Sequence, residues 1–402
     1  MRVLVLSPKC IWPLTGGAET RNFNLLRETA NHHDVYYLSF LFHPGEREHL
    51  AALQPYCKKV VGIDLHRPAW KKAFNAARSC FTSRPYVLYE YVRRDMADAI
   101  QRMIAEEHID VVHVHNLHMV QYAPFKNGAA FVYDTHNLDH VLWERFAKIQ
   151  KNPLARLFSR LQCAKFVHWQ RYAAAHAEKI VTLSDQERDE YLRMAPAADV
   201  VAVPNGADIE FFQPRDAAPE PDSIIYFANL EWKPQSDAGM YFHNEILPLV
   251  RQKIPRAKLY LVGNKPPEEM RRLNSPGVVV TGFVEDIRDY IARAAVVVLP
   301  LRVGAGTKHR VFQALAMKKA LVTTSIGAEG IALTHGQTAM ITDDPQQFAA
   351  YTVQLLSDPQ LRATLGENGR KLVLDRYDWR AIYPKLDQAF QDAVKKRQAH
   401  TS

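Results

Sequence analysis

Short apolar runs rich in β-branched residues recur along the chain, each followed by a longer stretch with helical spacing. They lie at residues 3–6, 35–40, 60–63, 111–114, 130–133 and 180–183, then at 224–227, 259–262, 278–281, 296–299, 321–323 and 339–341. None alternates with polar residues, which is the pattern of a parallel strand covered by helices on both faces. Between the runs the period lengthens: within 238–250, Tyr241, Ile246, Leu247 and Val250 fall toward one side of a helix. Alternation of this kind, run through twice, predicts an α/β chain of two doubly wound, Rossmann-like domains facing a cleft. Residues 203–223 hold four prolines and an acidic cluster with little periodicity, and read as the connection between the domains. The expected domains are 1–204, joined by a C-terminal helix over 379–402, and 205–378.

Composition narrows the class. Of 402 residues, 47% are hydrophobic and 23% charged, which excludes a disordered or fibrous chain. The formal charge of +8 points to an acidic partner: nucleic acid, an anionic membrane or a phosphorylated small molecule. Cys10, Cys57, Cys80 and Cys163 are far apart and form no CxxC pair, so a reducing cytosol is expected. The run before Pro8 is too short for a signal-peptide core, and no stretch reaches the ~18 apolar residues of a membrane span.

Ligands of doubly wound domains bind at the carboxyl ends of strands, so the loops there carry the candidate chemistry. The first, LTGGAETRNFNLL, sets Gly16 and Gly17 before a helix; it is either an anion or sugar site at a helix start or a turn that needs two glycines. Next come His113, His115 and His118, then Asp134, His136, Asn137 and His140. Metal ligation is disfavoured because the set matches no usual ligand spacing and lacks cysteine. His113 reads as a buried structural histidine. His136 ends a strand in a polar run, where it can bind a sugar hydroxyl or take a proton near neutral pH. In PLRVGAGTKHRVFQALAM, a turn with Gly304 and Gly306 feeds a helix that Thr307 is expected to cap, with Lys308 and Arg310 in its first turn. Cations there oppose the macrodipole, a conflict that a bound diphosphate resolves. Lys233 follows the first strand of the second domain and can reach the same cleft.

Taken in order, the GGAE loop, VYDTHN, VPNGADIEFFQP, LVGN, VTGFVEDIRDY and VGAGTKHRVFQALAMKKALVTTSIGAEGI resemble a family-4 glycosyltransferase of the two-Rossmann-domain (GT-B) type, over nearly the whole chain. The resemblance implies retaining, metal-independent transfer from a nucleotide-sugar, without a cofactor, to a glycan or lipid-linked acceptor in surface polysaccharide synthesis. It implies that backbone near Gly282, Val284 and Glu285 meets the base. The turn from Gly304 to Lys308 meets the diphosphate with Arg310 and Lys233. His136, with Gly16 and Gly17 beside it, contacts the donor sugar, and the acceptor enters from the first domain, where His115 and Asn137 are candidates. The sequence departs from the family at one place: of two glutamates that many relatives carry, the first, here Ala305, is often missing in this branch, but the second, which binds the ribose, is here Gln313. A Gln keeps an acceptor oxygen but loses the charge-assisted bond. Glu329 is another acid in the same motif. A nucleotide-sugar epimerase of the same fold and a non-catalytic sugar-nucleotide or glycan-binding subunit are the competing readings.

The excess charge is uneven. Residues 67–84 include Arg67, Lys71, Lys72, Arg78 and Arg84; residues 145–171 include Arg145, Lys148, Lys151, Arg156, Arg160, Lys165 and Arg171; neither stretch contains an acid. Trp70, Phe74, Ala77 and Phe81 recur at helical spacing, which fits either an anionic membrane interface or a solvated face over a core stripe. No nucleic-acid motif accompanies the charge. The expected location is the cytoplasm, at the inner face of its membrane.

Overall fold

The computed structural model describes residues 1–401 except 15, 126, 127, 137, 150, 151 and 305. Asn137, Lys151 and Ala305 therefore lie outside the described residues, as does the side chain of Arg145. The chain folds as two compact units, Met1–Pro204 with Ile382–Ser402, and Asn205–Ala381.

The first unit is built on β1 (Arg2–Ser7), β2 (Asp34–Leu41), β3 (Lys59–Asp64), β4 (Val111–His115), β5 (Ala130–Asp134), β6 (Lys179–Thr182) and β7 (Val200–Ala202). They pair in parallel in the order β3-β2-β1-β4-β5-β6-β7. The second unit orders β8 (Ser223–Phe227), β9 (Lys258–Val262), β10 (Val278–Gly282), β11 (Val296–Leu299), β12 (Leu321–Thr323) and β13 (Met340–Ile341) as β10-β9-β8-β11-β12-β13, again parallel. Every predicted apolar run is one of these strands. In the inner strands the side chains are buried on both faces, as in Val3 to Leu6 and Val296 to Leu299, whereas the edge strands β3, β7 and β10 are mostly half-buried. Each fully buried side chain contributes about 1.5–3 kcal/mol relative to exposure, so burial and not strand propensity holds the sheets. Each sheet reverses its strand order once, at β1/β4 and at β8/β11, and the crevice for a ligand lies at the carboxyl ends there.

Four sequence expectations need correction. Residues 205–222 are not a free connection but pack on the second unit: Ala207 N–H donates to Tyr377 O (2.7 Å), Phe212 joins the core and Arg215 pairs with Asp286 (2.6 Å). The aromatics of 67–84 are no core stripe, because Trp70, Phe74 and Phe81 are exposed. Arg67 is not a surface charge: its guanidinium lies over Phe42 and Tyr91 and pairs with Glu90 (3.4 Å). Lys165 is buried and donates to Ser79 O.

Candidate active site

In the first unit the chemistry gathers where β1, β4 and β5 end. The β4/β5 register sets His115 beside Asp134. Asp134, fully buried, accepts from Arg21 (Nη2 to Oδ2, 3.0 Å), and Arg21 also donates to Val203 O and Pro204 O. The Arg21 guanidinium and the bond from His113 outweigh burial and hold the Asp134 carboxyl well below the usual range. His113 and His115 point their ring nitrogens at each other (3.3 Å), not toward a common point for a metal.

His136 follows Asp134 by two residues. Its φ of +57° is unusual for a residue with a Cβ, a conformation that costs roughly 1–3 kcal/mol and concentrates at functional sites. Burial, with Arg21 and His113 nearby, lowers its pKa to about 4 against the opposing pull of Asp134. The ring is therefore neutral at pH 7, and its Nε2 has no hydrogen-bond partner among the described residues. Its rim is the 115 ring, 5.2 Å away. Gly16 caps the Gly17–His32 helix without a side-chain bond, and a Cβ there would stand 2.6 Å from Glu19 Oε2. Glu19 folds back over Gly16 and pairs with Lys9, so this helix start holds its own carboxylate. That arrangement accepts from a sugar hydroxyl better than it receives an anion.

Two groups here escaped sequence reading. The Arg21–Asp134 pair joins residues 113 apart, an arginine on the helix after β1 and a carboxylate at the end of β5. Asp139 is the other: burial alone raises its carboxyl to about 7.

In the second unit the candidate loops all follow strand carboxyl ends: 228–233 after β8, 282–285 after β10, 300–308 after β11 and 324–330 after β12. Gly282 and Gly306 have φ of +72° and +70°, which side-chain-bearing residues rarely adopt, so the glycines fix both turns. Val284 is half-buried against the core and Glu285 is exposed. Lys233 opens the Lys233–Tyr241 helix and is exposed. Thr307 does not cap the His309–Ala316 helix, which Lys308 precedes with no side-chain cap; the Thr307 hydroxyl accepts instead from Asn205 Nδ2. Lys308 donates to Gly306 O and lies 3.7 Å from Glu329, which places that acid beside the glycine turn. Arg310 is half-buried, its pKa lowered by burial, with no ion-pair or hydrogen-bond partner among the described residues. Gln313 follows it by three residues on the same helix, half-buried.

Two family models match the chain: Glycosyltransferase Family 4 over residues 15–211 and Glycosyl transferases group 1 over residues 221–358. A capsular polysaccharide biosynthesis glycosyltransferase of Staphylococcus aureus, CapM, is 27% identical over 125 residues, 30% of this chain and 32% of that one. The chain spans less than half the length of the curated relatives it matches. Among solved structures, a sucrose-phosphate synthase from Thermosynechococcus elongatus superposes with a TM-score of 0.71 at 17% identity, covering 97% of this chain and 98% of that one. HepE of Anabaena, solved in complex with UDP, gives 0.67 at 16% identity over 97% and 100%. Both share the fold of two parallel α/β domains. By the ordered motifs, the two sheets and these family models, the chain belongs to the group 1 glycosyltransferases of family 4.

Proposed function

We propose that the protein moves a sugar, with retention, from a nucleotide-sugar to a glycan or lipid-linked acceptor during surface polysaccharide synthesis, at the cytoplasmic face of a membrane. The observation that carries this is Arg310. A half-buried guanidinium without a carboxylate, at the start of a helix whose dipole repels it, calls for an anion. A donor diphosphate supplies one, with Lys308, Lys233 and the uncapped N–H groups of the same helix completing its neutralisation. Those donors can stabilise the leaving diphosphate without Mg²⁺, which is why the proposed reaction needs no metal. Gly282, Val284 and Glu285 take the base, and Gln313 the ribose. In the first unit, neutral His136 offers its open Nε2 to a donor sugar hydroxyl, with Gly16, Gly17 and Glu19 beside it and His115 toward the acceptor. The structures of HepE in complex with UDP-glucose, and the naming of CapM for capsule synthesis, support a nucleotide-sugar donor and a surface glycan product.

The test is release of nucleoside diphosphate from a panel of nucleotide-sugars, with UDP-glucose among them. Release that persists in excess chelator and collapses in His136→Ala supports the proposal; release abolished by chelator and restored by Mg²⁺ contradicts its metal-free part.

A further inference from the structure

Two helices of the first unit are inside out. In the Ala69–Ser79 helix the buried side chains are Asn75 and Ser79, while Trp70, Ala73, Phe74 and Ala77 face solvent. Phe81 follows and is 89% exposed. The Pro153–His176 helix repeats the inversion in its first half: Ser159, Gln162 and Lys165 are buried, whereas Leu154, Leu157, Leu161 and Ala164 form an exposed stripe at 154, 157, 161 and 164. The two helices are joined at Ser79. Gln162 Nε2 donates to Ser79 Oγ (3.0 Å), Lys165 to Ser79 O, and the Tyr86 N–H to Gln162 Oε1 (3.1 Å). Polar groups used this way leave both apolar faces outward, and contiguous exposed apolar surface of this kind marks an interaction site.

Charge selects the occupant. Lys71, Lys72, Arg78, Arg156 and Arg160 flank these stripes and are all exposed, and neither stretch carries an acid. Acids flanking the two stretches are engaged: Asp64 with Arg47, Glu90 with Arg67 and Glu144 with Lys148. Between the Asp139–Ile149 and Pro153–His176 helices, Lys148, Arg156 and Arg160 line a cavity of about 380 Å³ together with Glu144, Ala147 and Cys163. A protein partner with an apolar face would not require the cations. An anionic bilayer interface requires both, with aromatic and leucine side chains below the headgroups and basic side chains among them.

We propose that this helix pair is a peripheral membrane dock, inserting Trp70, Phe74, Phe81, Leu154, Leu157 and Leu161 into the interface of an anionic bilayer. It deepens the reading of a lipid-linked acceptor and rests on that reading for its purpose, since a docked enzyme meets such an acceptor in two dimensions.

Flotation of the full chain tests it, with vesicles of phosphatidylcholine alone and of phosphatidylcholine with phosphatidylglycerol. The wild type floats with the anionic vesicles only and is released by salt. Trp70→Ser/Phe74→Ser/Phe81→Ser lowers partitioning by at least about tenfold, and Lys71→Gln/Lys72→Gln/Arg78→Gln removes the preference for anionic lipid. Donor binding in solution stays unchanged in both variants, which shows that they fold. Equal flotation of wild type and triple-serine variant overturns the dock. So does a wild type that never floats but dimerises through these residues, because the face then belongs to a second copy. Flotation by a protein that binds no nucleotide-sugar overturns the proposed chemistry and leaves the dock standing.

Discussion

At the residue scale, several functional candidates are poorly served within their own unit. Arg310 is the sharpest. In Arg310→Met a half-buried charge facing a helix dipole disappears, so thermal stability holds or rises. Donor affinity falls by roughly 10–100-fold, the value of one or two charge-assisted bonds. Calorimetry with the cognate nucleotide-sugar checks the affinity and thermal unfolding the stability. Gln313→Glu restores the charge-assisted acceptor and tightens nucleotide binding, measurable in the same titration. Titration gives a signed prediction. His118 and His136 have pKa values lowered to about 3 and about 4, and burial holds that of His115 well below the ordinary histidine value. In the unfolded chain all three protonate near 6.5, so stability falls as the pH drops below that value. Asp139 acts oppositely: its folded carboxyl protonates near 7, so acid stabilises it. Urea unfolding between pH 7 and pH 5 should therefore show a loss of stability that steepens in Asp139→Asn; a shallower dependence in that variant contradicts the assignment. Of these groups, the sequence motifs pointed to Arg310, His136 and Gln313. Asp139 was illegible because its shift comes from burial, which no local pattern records.

At the element scale the strands were the most legible part. Uninterrupted apolar runs favour strands covered by helices, and all twelve predicted runs are strands. β7 was missed because it is three residues long and only half-buried at the sheet edge. The 67–84 stretch shows the opposite limit: helical spacing of aromatics tells that one face is apolar and leaves open whether that face looks inward. Ser79 decides it, through contacts with Gln162 and Lys165 more than eighty residues away. The Arg21–Asp134 pair is likewise non-local, and it ties the helix after β1 to the end of β5. Asp134→Ala should cost about 3–5 kcal/mol, because it leaves a buried guanidinium uncompensated. Arg21→Met/Asp134→Leu should cost less than the single change, as chemical denaturation of both variants will show.

At the scale of the whole molecule, the proposed function divides the +8 charge between a few cations at the strand ends of the second unit, for a diphosphate, and an exposed basic rim around the inverted helix pair of the first. Among the described residues no helix is long and apolar enough to cross a membrane. Isothermal calorimetry of the purified chain against a panel of nucleotide-sugars decides whether it takes such a donor. Saturable binding of at least one, weakened in Arg310→Met and followed by His136-dependent release of nucleoside diphosphate, is the predicted result; no binding of any nucleotide-sugar or nucleoside diphosphate would contradict it.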